Sequence, residues 1–98
     1  MSDTLNLNPG TVYFLRMREP SNGKVPPYVK VGITDKSVGG RIKQLQTGNP
    51  YELYAWKSLE SQAAELVEGH IHRLYSEQRV KGEWLRLEDN QLGALLDE

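Results

Sequence analysis

Tyr13, Lys30, Arg41, Glu68 and His72 are residue types that can together handle a phosphate ester. A phenol or an imidazole moves protons, an ammonium and a guanidinium hold negative charge, and a carboxylate holds a metal ion. Hydrolysis of a phosphodiester needs little more: a base for the attacking water, a cation at the developing charge and clamps on the phosphate oxygens. Each residue also has a plainer reading. Tyr13 fits a strand tyrosine packed on a core, Lys30 an exposed sheet lysine, Arg41 a solvated helix arginine, Glu68 a surface glutamate and His72 a structural histidine. Local sequence leaves both readings open at every one of these positions.

Helical spacing sorts the candidates further. Glu68 and His72 are four apart and share a helix face, with Glu65, one turn earlier, as the competing carboxylate. His70 and His72, two apart, point about 200° away from each other and cannot share a zinc ion. Arg41, placed near the start of a helix, reaches a phosphate with two parallel N–H groups while the helix N-terminus adds positive field.

The elements that must position these groups follow from the pattern along the chain. Thr11–Arg18 (TVYFLRMR) is β-branched and aromatic and reads as a strand; Tyr28–Thr34 (YVKVGIT) alternates and reads as a second, antiparallel to it. The Pro/Asn/Gly-rich stretch 19–27 joins them. Gly32 marks close backbone approach or a bulge. Asp35 or Ser37 caps a short helix that runs to about Gln46, with Ile42 and Leu45 facing inward, and Gly48-Asn49-Pro50 stops it. Tyr51–Leu59 reads as a third strand. Ser61 then caps the longest helix, Gln62–Tyr75, whose inward stripe is Ala64, Val67, Ile71 and Leu74. Glu83–Leu87 is a short extended piece with Trp84 in the core, and Asp89 or Asn90 opens a last helix with Leu92, Leu95 and Leu96 as its apolar residues. The order β-β-α-β-α-(β)-α predicts an α+β fold: a small three-stranded antiparallel sheet flanked by helices.

Composition bounds the rest. Ninety-eight residues suit a single domain over 11–98, with 1–10 a polar, flexible N-terminal segment rather than a signal peptide. The chain has no cysteine, which suits a reducing cytoplasm, and no apolar run approaches a membrane span. A net charge of −1 argues against a strongly nucleic-acid-binding surface. The charge is uneven, however: residues 1–50 carry seven Lys/Arg against three acids, and residues 51–98 five against ten. A dipolar surface with one phosphate-facing side is one reading of this split, and unrelated solvated faces are the other.

Thr11-Val12-Tyr13 and, seventeen positions after Tyr13, Lys30-Val31-Gly32 resemble the strand pair that names the GIY-YIG nuclease superfamily. Arg41 lies nine residues after Gly32, as the superfamily's arginine does. The run Arg41-Ile-Lys-Gln-Leu-Gln-Thr-Gly-Asn-Pro50, the frame Ala64-x3-Glu68-x3-His72-x2-Tyr75, and Arg79-x2-Gly82-Glu83-Trp84 are similar to the compact branch named after a phage T5 open reading frame. This branch carries lysine where the superfamily has its second tyrosine.

The resemblance, over residues 11–87, implies a metal-dependent DNA endonuclease of phage or bacterial setting. It implies Tyr13 as general base, Lys30 and Arg41 on the phosphate, and Glu68 as ligand of one divalent ion, Mg²⁺ with Mn²⁺ as the alternative. His72 stands beside Glu68 to orient it, touch substrate or cap a hydrogen bond, and Glu83 is either a second acid of the site or structural. No residue is assigned to the asparagine that many superfamily members place late in the fold. With no sequence-reading module of its own, specificity is expected to be low or supplied by a targeting partner protein. A catalytically silent nucleic-acid-binding module and a protein-interaction domain are the two alternatives.

Overall fold

The computed structural model describes residues 8–97. The expected N-terminal segment therefore lies, up to residue 7, outside the described residues. Asn8 already belongs to the fold, its carbonyl accepting from the Ala64 N–H at 3.2 Å.

The chain forms β1 (Gly10–Arg18), β2 (Tyr28–Thr34), α1 (Val38–Gln46), β3 (Glu52–Ser61), α2 (Ala64–Leu74), β4 (Arg79–Lys81), β5 (Trp84–Arg86) and α3 (Asp89–Leu96). All strand pairs are antiparallel, and the sheet order is β3-β1-β2-β5-β4. The class is α+β, as expected, but the sheet has five strands rather than three. The extended piece after Gly82 pairs with the outer edge of β2, and β4 pairs with it in turn through a hairpin turned at Gly82, whose φ of 56° favours glycine.

Strand β1 lies between β3 and β2, and its Val12, Tyr13, Phe14 and Leu15 are buried in succession because both faces of the strand are covered. Val12 and Phe14, with Val29, Val31 and Leu85, face the core completed by Ala64, Ile71 and Tyr75 around α2 and by Leu87 and Leu95 near α3. On the opposite face Tyr13 lies directly across from Gly32. A Cβ at position 32 would sit 2.6 Å from the Tyr13 ring carbon Cζ. The glycine is what lets the ring lie flat over β2.

Three details of the sequence reading change. The inward stripe of α2 ends on Tyr75, which is buried, while Leu74 is exposed. Measured from Ala64, Ile71 and Tyr75 fall within about 20° of the core direction and Leu74 about 80° from it. Helix α2 starts at Ala64 without a side-chain cap; Ser61 ends β3, and its Oγ accepts from Ala63 N–H at 3.0 Å. The cap of α3 is Glu88, through a reciprocal pair with Gln91, rather than Asp89 or Asn90. In addition, Trp84 is half-buried and Leu85 takes the core position; Leu96 is exposed, and Ile42 and Leu45 are half-buried. The Ser37 cap of α1 stands as read, its Oγ accepting from Gly40 N–H at 3.0 Å. Among the described residues no helix is long and apolar enough to cross a membrane.

The LQTGNP run has a structural use. Gln46 Nε2 donates to the carbonyls of Asn49 (3.1 Å) and Tyr51 (2.7 Å), and its Oε1 accepts from Leu53 N–H (2.8 Å). One side chain thus fastens the end of α1, the helix bearing Arg41, to the start of β3. Gln46→Ala should leave these three backbone groups to water and cost at least about 1 kcal/mol, a fall of roughly 4–8 °C in melting temperature. An unchanged melting temperature would remove this fastening role. Gly32→Ala should cost about 1–3 kcal/mol through overpacking against Tyr13. Gly39→Ala, with open space around its Cβ, should instead stabilise α1 by up to about 1 kcal/mol. The opposite order of the two glycine variants in thermal melts would contradict the packing described.

Candidate active site

Four elements deliver the predicted residues to one end of the β2 edge. Tyr13 comes from the middle of β1, Lys30 from β2, Arg41 from the first turn of α1, and Glu68 and His72 from α2. Glu83, at the β4–β5 turn, joins them.

The backbone of β2 explains why they meet. Strand β5 pairs with β2 only through Tyr28, Val29 and Lys30. The next residue, Val31, has its N–H bonded to the Glu83 carbonyl at 3.1 Å. Its own carbonyl lies 3.0 Å from His72 Nε2; the contact fits the tautomer in which Nε2–H donates. The turn and α2 are both drawn to this residue, and their acids come with them.

On α2, Glu68 and His72 lie about 40° and 80° from the core direction, at the margin of the buried stripe. Their side chains are accordingly half-buried, while Glu65 and His70 are exposed. Glu68 Oε2 is 3.9 Å from His72 Nε2. Glu65 receives a contact from Asn8 at 3.4 Å and stands outside the cluster.

The charges are linked in a chain. Lys30 Nζ is 3.1 Å from Glu83 Oε1, with the lysine side chain only 14% exposed. Glu83 adjoins Glu68, and the Glu68 carboxyl is held above its ordinary 4.5, first by burial and then by the charge and hydrogen bonding of Glu83, with His72 pulling the other way. Arg41 Nε donates to the Tyr13 hydroxyl at 3.4 Å and Nη1 donates to Gln44 at 3.0 Å. The bond and charge interaction with Tyr13 hold the guanidinium more firmly protonated than usual. Tyr13 is 1% exposed, whereas Arg41 is exposed. Two clefts flank the cluster, one of about 310 Å³ between Glu68, His72, Arg79 and Glu83 and one of about 450 Å³ between Thr34, Lys36, Arg41 and Gln44.

The donor set bears on what cation would fit. Among the described residues no group of three or more His, Cys, Asp or Glu could hold a metal ion. A closed protein cage of the zinc kind is therefore not formed by them. Glu68 and Glu83 are two neighbouring hard oxygen donors whose mutual repulsion a dication would relieve. Mg²⁺ needs only one or two carboxylates, with water and phosphate oxygens completing its shell. The pair fits such an ion, and Lys30 is the cation that balances Glu83 without one.

Two participants were not legible as such from the sequence. For Glu83 the sequence leaves a structural and a site role equally open; its place immediately after Gly82, in Gly-Glu-Trp, is the available hint. Gln44, three residues after Arg41, steadies the guanidinium, and only the helical i, i+3 spacing suggested it.

No curated protein and no solved structure matches the chain. The family model described as the T5orf172 domain matches residues 10–98 and so takes in every group of the cluster. The chain belongs to the T5orf172 domain family, which is associated with nuclease-like proteins.

Proposed function

We propose that this chain is a GIY-YIG-type, metal-dependent endonuclease that hydrolyses DNA phosphodiester bonds with low intrinsic sequence specificity. One observation carries the reading: a phenol, two cations and two carboxylates from five elements meet at one end of the β2 edge. A sheet lysine placed only for solubility would not be 14% exposed and held 3.1 Å from a carboxylate, as Lys30 is by Glu83.

In this reading Arg41 binds the substrate phosphate and, in moving onto it, uncovers the Tyr13 hydroxyl. Tyr13, once uncovered, takes the proton of the attacking water as it passes its own hydroxyl proton on to solvent; the water oxygen forms the new bond to phosphorus as the bond to the leaving sugar oxygen breaks, and that oxygen leaves as the alkoxide and takes a proton from water. Lys30 holds a non-bridging phosphate oxygen while Glu83 keeps the ammonium in place. Glu68, steadied by His72, would hold the ion, Mg²⁺ with Mn²⁺ as the alternative. When bound, that ion supplies neutralising charge at the phosphate and leaving oxygen. Target choice then falls to DNA structure or to a partner protein.

The burial of Tyr13 favours a second reading, a domain that grips nucleic acid through Lys30 and Arg41 without cutting it. A plasmid nicking assay with Mg²⁺ or Mn²⁺ separates the two. The parent chain should nick, and Glu68→Ala and Tyr13→Phe should each slow nicking by about a hundredfold or more. Nicking that survives both substitutions sinks the mechanism, and a folded parent chain inert in every divalent metal supports the gripping domain.

The raised Glu68 carboxyl makes a separate prediction about stability. From about pH 4.5 upward the unfolded chain has released this proton while the folded chain still holds it, so stability falls as pH rises toward the folded pKa and stays lowered above it. Glu68→Gln removes the penalty. The variant should melt above the parent at neutral pH, and the gap should close in acid. Mg²⁺ should raise the parent's melting temperature and leave the variant's unmoved. A variant that melts below the parent at pH 7 would show that the carboxylate stabilises the fold.

A further inference from the structure

The proposed cluster occupies one end of β2; the rest of that strand's face, together with β5 and β4, makes a second surface. Cross-strand partners share a face of a sheet. The register pairs Lys30 and Lys81 with Trp84, and Tyr28 with Arg86. Tyr28, Lys30, Lys81, Trp84 and Arg86 therefore stand on one face, opposite the core-directed Val29, Val31 and Leu85. Lys30 Nζ lies 5.9 Å from the centre of the Trp84 ring, and the Arg86 guanidinium lies 5.9 Å from that of Tyr28. Lys81 and Arg86 are exposed, and both rings are half-open to solvent.

The charge of these strands is one-sided. β2 (YVKVGIT), β4 (RVK) and β5 (WLR) contain four Lys/Arg and no Asp or Glu. In a chain of net charge −1 this is a local exception. Cation–aromatic pairs of this kind can simply trim a surface hairpin. That role does not account for strands without an acid of their own, bordered by one carboxylate, Glu83 on Lys30, and continuous there with a cluster suited to phosphate. Rings interleaved with cations offer what an unpaired nucleic-acid strand presents: the open π-face of each base and a phosphate for each nucleotide. An intact duplex buries those faces in its own stack.

We propose that this face is a stacking platform for an unpaired DNA strand. One base lies on Trp84 and the next on Tyr28, Lys81 and Arg86 meet the phosphates, and Lys30 passes the strand to the cleavage cluster. The last step rests on the nuclease reading above. The substrate class follows: single strands, flaps or splayed junctions in preference to intact duplex.

The test uses the full chain carrying Glu68→Gln, in chelator, so that binding is read without cleavage. Adding Trp56→Phe makes Trp84 the remaining tryptophan. A single-stranded oligonucleotide should quench Trp84 emission and bind at least about fivefold more tightly than the same sequence as a blunt duplex. Tyr28→Ala should weaken single-strand binding about fivefold or more, and Tyr28→Phe, which keeps the ring, should restore it. Lys81→Glu with Arg86→Glu, both at exposed positions, should weaken it further and flatten its dependence on salt. Equal affinity for duplex and single strand, indifference to Tyr28→Ala, or quenching by phosphatidylserine vesicles and not by DNA would each overturn the platform. A separate cleavage assay with Glu68 and Mg²⁺ restored keeps the two readings apart. Strand binding without cleavage fails the nuclease and leaves the platform standing; cleavage with no strand preference does the reverse.

Discussion

The arrangement depends on how one buried residue satisfies its backbone. Val31 is fully buried, and an unpaired peptide group there would cost about as much as a lost hydrogen bond. On its outer side β5 has ended as a regular partner. The N–H is taken by the Glu83 carbonyl and the carbonyl by His72. These two bonds tie the β4–β5 turn and the last turn of α2 to the same residue of β2. The carboxylates of Glu83 and Glu68 then have to lie beside each other, with Lys30 against Glu83, because each acid sits on an element that Val31 has already fixed.

Such closeness has an electrostatic consequence. Two acids brought together and partly withdrawn from water are disfavoured as anions, and the raised Glu68 carboxyl expresses first that withdrawal and then the repulsion from Glu83. Lys30 balances one of them. The remaining excess of negative charge is a local destabilisation, the kind of strain that is kept where a cation or a reaction uses it and lost where fold stability alone matters. Arg41 makes the complementary point, since its guanidinium is fixed by a phenol and an amide, Tyr13 and Gln44, rather than by a carboxylate.

Much of this was legible in the sequence, for identifiable reasons. The first two strands announce themselves by β-branched and aromatic residues, and pairing them antiparallel brings Tyr13 and Lys30 close without knowledge of the exact register. Glu68 and His72 follow from i, i+4 spacing. Gly32 was flagged as a close approach, and Tyr13 is what approaches. What failed was short or depended on tertiary context. β4 and β5 have three residues each, too few to show a period, and every residue of β4 is exposed. The choice between Leu74 and Tyr75 depends on where the core lies relative to the last turn of α2, which composition does not record. Glu88 is not a residue type that announces a cap, because its strength here comes from reciprocity with Gln91, three residues away. Glu83 entered the cluster through a pairing of β5 with β2 that the sequence left unassigned.

The burial of Tyr13 constrains the order of events for any chemistry at this edge. A phenol that is 1% exposed does not meet bulk water, and the exposed group in contact with its hydroxyl is Arg41. Arg41 is held there by a long hydrogen bond of 3.4 Å, a weak restraint compared with the charge-assisted pair a guanidinium makes with phosphate. Phosphate is therefore the species best able to draw Arg41 away. Under the nuclease reading, substrate binding precedes the exposure of the base, and a chain without substrate keeps its base covered. Under that reading the exchange of one side chain between a buried hydroxyl and an incoming phosphate is the gate, a task that larger enzymes assign to a loop.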